Sequence, residues 1–222
     1  MTNSQKLSYP KVVIALILIG SAESGITGNA IRGIDSYNVL ADDDAVLGNV
    51  KAPVTIVAFY DLNDPYTRRF HNEVFPLIKK NYIGTNQVKF IVRDFPQDDD
   101  SLLAAQAAEC TRKLYGDQAY WTYQNLLFEK QNLIDSGLPK GTVTRTIPLN
   151  SANLITWAEE QGYNIKNCLT YQNTIVEVQS DHTQGLKFGI DSVPTFIIDN
   201  QIIKGAQPYE EFQKIIESTL SS

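Results

Sequence analysis

Val54-Thr55-Ile56-Val57-Ala58-Phe59 is a nearly unbroken run of β-forming residues, the pattern of a strand covered on both faces and hence central in its sheet. Directly after it, Tyr66, Phe70, Val74, Leu77 and Ile78 recur at the helical period and close on Lys79 and Lys80, cations suited to the negative end of a helix. Pro76 inside this helix predicts a kink. Gln87 to Val92 supplies a second strand, and strand, helix and strand in that order imply a right-handed parallel unit.

From Ser101 to about Lys187 the pattern is helical, interrupted by the polar stretch Asp135 to Asn150. Leu103, Ala107, Cys110 and Leu114 share one face of its first helix, and Ile165, Cys168, Leu169 and Gln172 one side of a later one. Strand character returns at Thr195-Phe196-Ile197-Ile198, turns at Asp199-Asn200 and runs back through Gln201-Ile202-Ile203-Lys204, which reads as a hairpin. A final amphipathic helix would turn Tyr209, Phe212, Ile215, Ile216 and Leu220 inward. The plan is β-α-β, a helical insertion, then β-β-α, with no internal repeat.

The 222 residues are 43% hydrophobic and 20% charged, ordinary globular material, with a formal net charge of -6. That balance, without a Lys/Arg cluster, argues against nucleic acid as a partner, because neutralising phosphates needs concentrated cations. Asp42 to Asp44 and Asp98 to Asp100 are short acidic runs without the spaced oxygen ligands of a calcium loop. They read as solvated surface or helix starts, and no metal or cofactor is expected.

The first residues differ from the rest. Lys6 and Lys11 precede the apolar run Val12 to Gly20, followed by the small residues Ser21, Ala22 and Ser24, the shape of a signal peptide. The run falls well short of the roughly 20 residues of a spanning helix, which favours cleavage and leaves membrane association through the N-terminus as the lesser reading. The expected boundaries are a signal peptide or anchor over 1–24, a Gly-punctuated linker over 25–45, a core over 46–100 and 188–222, and a helical insertion over 101–187. Export to an extracytoplasmic, secreted or membrane-anchored location follows.

Ala52-Pro53-Val54-Thr55-Ile56-Val57, Pro65-Tyr66, Arg68-Arg69-Phe70, Arg93-Asp94-Phe95-Pro96, Ala107-Ala108-Glu109-Cys110 and Val193-Pro194-Thr195-Phe196 together resemble the DsbA-like thiol-disulfide oxidoreductases. The resemblance spans roughly Val46 to Leu220. It implies an α/β thioredoxin fold with an inserted helical domain, the architecture reached separately from periodicity. Family members carry Cys-x-x-Cys at the start of the first core helix, where the helix dipole and free N–H groups stabilise a thiolate. This sequence reads Asp64-Pro65-Tyr66-Thr67 there, and a strand position that many members give to a buried acid is Ala58. Neither a carboxylate nor a hydroxyl can replace a thiolate in exchange.

Asp64 also reads as an N-cap ahead of Pro65 at the first helical position, and Tyr66 as a packing or rim aromatic. Nothing identifies a base beside Thr67. His71 falls one residue off the inward face and His182 lies in a polar stretch, so both read as surface histidines. Cys110 and Cys168 stand where many relatives carry a pair that bonds, so the resemblance implies a structural disulfide; two buried free thiols and a second redox-active pair are the other readings. Val193-Pro194 resembles the family's cis-proline loop, which offers backbone groups to an extended client by strand addition. The function expected is an exported, non-redox module that binds peptides, chaperones or scaffolds, without catalytic residues. The alternatives are a disulfide oxidoreductase using Cys110 and Cys168, a transferase-like enzyme of the kind in which serine replaces cysteine in kappa-class glutathione transferases, or an accessory subunit.

Overall fold

A computed structural model describes residues 44–132 and 149–222. The proposed signal segment, nearly all of the linker and most of the polar stretch after Asp135 lie outside those residues. The run of β-formers from Val54 to Phe59 is the centre of the sheet. Strand β2 (Val54–Tyr60) pairs in parallel with β3 (Val88–Asp94), from Val54 opposite Val88 to Tyr60 opposite Asp94. On its other side lies β4 (Thr195–Ile198), antiparallel, with Phe59 opposite Thr195. The hairpin partner β5 (Gln201–Lys204) forms one edge. The other edge is β1 (Val46–Leu47), two residues antiparallel to β3, giving the order β1-β3-β2-β4-β5.

Burial on both faces explains the unbroken run. Val54, Ile56, Ala58 and Tyr60 join the larger apolar cluster with Phe70, Phe196, Phe212 and Ile216. Val57 and Phe59 point the other way, to Ile91, Phe95, Ile190 and Ile197. Phe70 is the hub of the first cluster: it is wholly buried, with ring centroids 4.3 Å from Phe196, 5.2 Å from Phe212 and 6.1 Å from Tyr60.

The expected kinked helix is divided more sharply than a kink. Helix α1 (Pro65–Glu73) stops at Val74, α2 (Phe75–Ile78) restarts, and a π-helical turn covers Lys79–Ile83. Pro76 has no N–H to give the preceding turn, and its ring clashes with the carbonyl four residues back. The break changes which residues face inward. Phe70, Val74 and Ile78 are buried, whereas Tyr66 is 50% exposed and Leu77 41% exposed, correcting the five-residue inward face. Tyr66 sits in the first turn, at the rim of the site, and the interruption at Val74 rotates Leu77 outward.

The helical part between β3 and β4 comprises α3 (Asp99–Tyr115), α4 (Asp117–Asn132), α5 (Ser151–Glu160), α6 (Lys166–Thr170) and α7 (Ile175–Lys187) among the described residues. Asp98 caps α3 by accepting from the Ser101 N–H at 2.7 Å, and Asp99 and Asp100 are exposed in its first turn. Cys110 of α3 and Cys168 of α6 form a disulfide with their Cα atoms 5.8 Å apart. Two face assignments need correction: Leu114 is exposed at the end of α3, and Gln172 lies beyond the short α6 in a left-handed turn with φ 51°. On the far side of the sheet, Gly185 of α7 approaches so closely that a Cβ there would stand 2.7 Å from the Phe95 ring. Helix α8 (Tyr209–Leu220) closes the fold through Phe212 and Ile216, with Tyr209, Ile215 and Leu220 partly buried. No helix among the described residues is long and apolar enough to cross a membrane.

Both histidines and one acidic run also depart from the surface reading. His71 is largely enclosed, its ring 4.4 Å from that of Phe128 in α4 and 5.3 Å from Phe75, because α4 covers the flank of α1 that the sheet does not. His182 is half-buried and stacked 4.4 Å from Phe95, and burial lowers its pKa. Asp44 is buried and ion-paired to Arg93 at 2.8 Å.

Burial pushes the His71 pKa down to about 4, opposed by a hydrogen bond with Asn125 and aided by Lys79. The unfolded chain therefore takes up this proton before the folded one. The His71 contribution to stability is complete at neutral pH and is lost as pH falls from about 6.5 towards 4. At pH 5 the loss reaches about 2 kcal/mol. Denaturant titrations at pH 7 and pH 5 check this: in His71→Phe the stability change between the two pH values should differ from that of the parent by about this amount, in the direction of less loss on acidification.

Candidate functional site

The carboxyl ends of β2 and β3 and the start of β4 meet at one end of the sheet, where ligands gather in open α/β folds. After Tyr60 the chain runs through Asp61, Leu62 and Asn63 to the start of α1. Asp61 is buried and fixes this turn: its carboxylate accepts the N–H groups of Asn63 at 2.7 Å and Gln97 at 3.0 Å. Desolvation raises its pKa to about 6, against those hydrogen bonds and one from Ser101, which lower it.

Asp64 caps α1. Its Oδ1 accepts the Thr67 N–H at 2.6 Å and the Thr67 hydroxyl at 3.0 Å, and Pro65 takes the first helical position, where no N–H is needed. Burial raises the Asp64 pKa, while the Thr67 bonds and the Arg68 charge act to lower it. The carboxylate lies where the helix dipole favours a negative charge. Thr67 is wholly buried and its hydroxyl is committed to Asp64, which leaves it no access as a nucleophile. Tyr66 is the exposed member of the motif. Ala58, wholly buried between Val92 and Phe196, brings no titratable group beneath it.

The Val193–Pro194 loop, whose peptide bond is cis, lies at the same end of the sheet. The pairing of Phe59 with Thr195 holds it at the sheet end from which α1 departs. The Pro194 carbonyl accepts from Gly205 N–H at 2.7 Å, and the Thr195 hydroxyl donates to the Ser192 carbonyl at 2.7 Å. Among the described residues, no hydrogen bond uses the backbone N–H or carbonyl of Val193. The other cysteine-bearing region is elsewhere: Cys110 is 0% and Cys168 4% exposed, within the helical part. These are the only two cysteines of the chain.

Sequence reasoning missed the residues that brace this site. Gln131 of α4 donates from Nε2 to the Leu62 carbonyl at 2.6 Å and accepts at its own carbonyl from Arg68 at 3.2 Å. The inserted helices thus grip the turn before α1 and the second residue after the motif's Tyr66. Nothing in a polar helical stretch marks one glutamine for this role. Asp61 carried a faint signal, as an acid one residue past a buried strand, but Asp-Leu-Asn-Asp reads equally as an ordinary turn.

A central β2, its parallel neighbour β3, the antiparallel β4–β5 hairpin and a cis-proline at the sheet end where α1 starts define a thioredoxin-fold protein with helices inserted between β3 and β4. A family model described as thioredoxin matches residues 40–218. Disulfide bond formation protein D of Bacillus subtilis is 30% identical over 181 residues, which cover 79% of this chain and 76% of that protein. The oxidised crystal structure of BdbD from Bacillus subtilis superposes with a TM-score of 0.68 at 29% identity, covering 81% of this chain and 94% of that one. A variant of alpha-DsbA1 from Wolbachia pipientis superposes with a TM-score of 0.67 at 25% identity, over 81% and 92%. The chain belongs to the DsbA-like thiol-disulfide oxidoreductase family of the thioredoxin superfamily.

Proposed function

We propose that this chain holds an extended segment of another protein beside Val193 and Pro194 and performs no thiol-disulfide exchange, acting as a chaperone-like or scaffolding module outside the cytoplasm. The observation that carries the reading is that both cysteines of the chain are bonded to each other and buried. The helix start at the same end of the sheet as the proline loop bears Asp64 and Thr67, closed on one another. In this reading they stand at the positions of the family's exchanging pair. Exchange proceeds by attack of a thiolate on an accessible sulfur, and neither requirement is met at that helix start. Support for a protein client comes from the unused Val193 backbone groups, which suit strand addition, and from the exposed Tyr66 ring at the same end of the sheet. The Bacillus subtilis relative is named for disulfide bond formation, so a client protein is the part of that role retained here. Lys6, Lys11 and the apolar run that follows support export.

The same burial disfavours an oxidoreductase built on Cys110 and Cys168, and the commitment of the Thr67 hydroxyl to Asp64 disfavours a transferase-like site. Insulin reduction with the purified protein tests the exchange half: no turnover above the dithiothreitol control is expected, and turnover abolished by Cys110→Ser would sink the reading. Fluorescence anisotropy with an unfolded, cysteine-free polypeptide tests the client half. Saturable binding is expected, weakened about tenfold or more by Val193→Pro, which removes one of the two backbone groups; binding indifferent to that change refutes the proposed groove.

A further inference from the structure

We propose that the helical part rests on an anionic lipid surface through the end where α3 finishes and α6 turns into α7. Two segments build that end, residues 111–116 and 162–176. The Cys110–Cys168 bond joins them at their roots. Lys113 Nζ then donates to the Asn173 carbonyl at 3.2 Å, and the Tyr115 hydroxyl accepts the Asn164 N–H at 2.9 Å. The Tyr115 and Tyr163 rings lie 5.0 Å apart. Side chains from both segments therefore share one surface.

Apolar exposure concentrates there. Leu114 is 50% exposed, Tyr115 45%, Tyr171 74% and Val176 76%. Single exposed apolar residues are ordinary on a protein surface, whereas several gathered at one end mark a contact surface. Tyr171 closes α6, and the left-handed Gln172 that follows (φ 51°) turns the chain towards α7, so the Tyr171 ring stands at a bend.

Charge and side-chain type select the partner. Residues 111–116 and 162–176 carry Arg112, Lys113 and Lys166 and neither aspartate nor glutamate, in a chain with 25 acidic residues against 19 basic ones. Arg112 is paired with Glu109 at 2.6 Å, so the exposed Lys113 and Lys166 set the sign of the surface. Of the acids that flank the two segments, Asp117 accepts the Val46 N–H at 3.2 Å and Glu177 is half-buried. Tyrosines beside lysines suit the level at which lipid headgroups meet acyl chains. A tyrosine ring enters the apolar layer while its hydroxyl stays wet. A lysine stem does the same while its ammonium meets phosphate. Four partly exposed apolar side chains fall short of the roughly 800 Å² that each side of a stable protein interface buries, but a lipid layer requires only that the rings dip into it.

Sedimentation of the full chain with vesicles of equal parts phosphatidylglycerol and phosphatidylcholine, beside vesicles of phosphatidylcholine alone, tests this directly. Tighter binding to the anionic vesicles is expected, weakening as sodium chloride is raised. Lys113→Gln combined with Lys166→Gln should weaken it about 25-fold, the product of about fivefold for each lysine. Tyr171→Ser should weaken it about tenfold. Hydrogen exchange of the full chain on the same vesicles separates this surface from any contact made by the apolar run near the N-terminus: slowing is expected in residues 111–116 and 162–176. Equal binding to both kinds of vesicle, binding that all these substitutions leave intact, or unchanged exchange in the two segments overturns the proposal. A vesicle-free dimer that Tyr171→Ser abolishes gives the surface to a second copy and overturns it as well. None of these readouts depends on disulfide exchange or on a client.

Discussion

Cys110→Ala combined with Cys168→Ala is expected to lower the unfolding free energy by about 4 kcal/mol, the chain-entropy value for a closed loop of 58 residues. The bond ties α3 to α6 across the stretch that contains α4, α5 and the residues between them. Without it the unfolded chain regains the freedom of that whole loop. Denaturation of the parent protein with and without a strong reductant, beside the double variant, checks the figure: the reduced parent and the variant should unfold at similar, lower denaturant concentrations. A parent protein whose midpoint is indifferent to reductant, with the bond demonstrably broken, would show that the link contributes nothing to stability.

Phe70→Ala is expected to cost about 3–5 kcal/mol, the range for deleting a fully buried aromatic ring. The ring touches residues from β2, β4, α2 and α8, so no single neighbour can relax into the space. Phe70→Leu, which keeps most of the volume, should cost markedly less. Because Phe70 seats the helix whose first turn bears Asp64 and Thr67, the alanine variant should also loosen that turn. Faster hydrogen exchange at the Thr67 and Arg68 amides, beyond the change expected from global stability, reports it. An alanine variant within about 1 kcal/mol of the parent would mean that the aromatic cluster is far less tightly packed than the ring distances indicate.

These two sites differ in how far the sequence announced them. Phe70 stood out at once, with Val74 and Ile78, since a helical period marks a buried stripe, although the same period also picked out the exposed Tyr66 and Leu77. The β2 run, the β4–β5 hairpin and the capping of α1 by Asp64 were legible for the same reason: each is a local pattern with a local cause. The two-residue β1 was not, because its pairing of Val46 with Ile91 is a backbone matter that leaves no trace in side-chain alternation. His71 misled for a related reason. Periodicity measured its angle from the sheet, but α4 covers that flank of the helix and brings Phe128 to it. Asp44 misled because three consecutive aspartates look solvated until the fold supplies Arg93. At the candidate site, the Val193–Pro194 loop was legible only through resemblance, and Gln131 not at all, since its two contacts join segments far apart in sequence.

The Asp64 carboxylate has a consequence for the field at the start of α1. A cysteine in that place carries its negative charge only while reduced and surrenders it when it enters a disulfide. A carboxylate bonded to the Thr67 amide and hydroxyl undergoes no such change. The charge at the start of this helix is therefore independent of ambient oxidants and reductants.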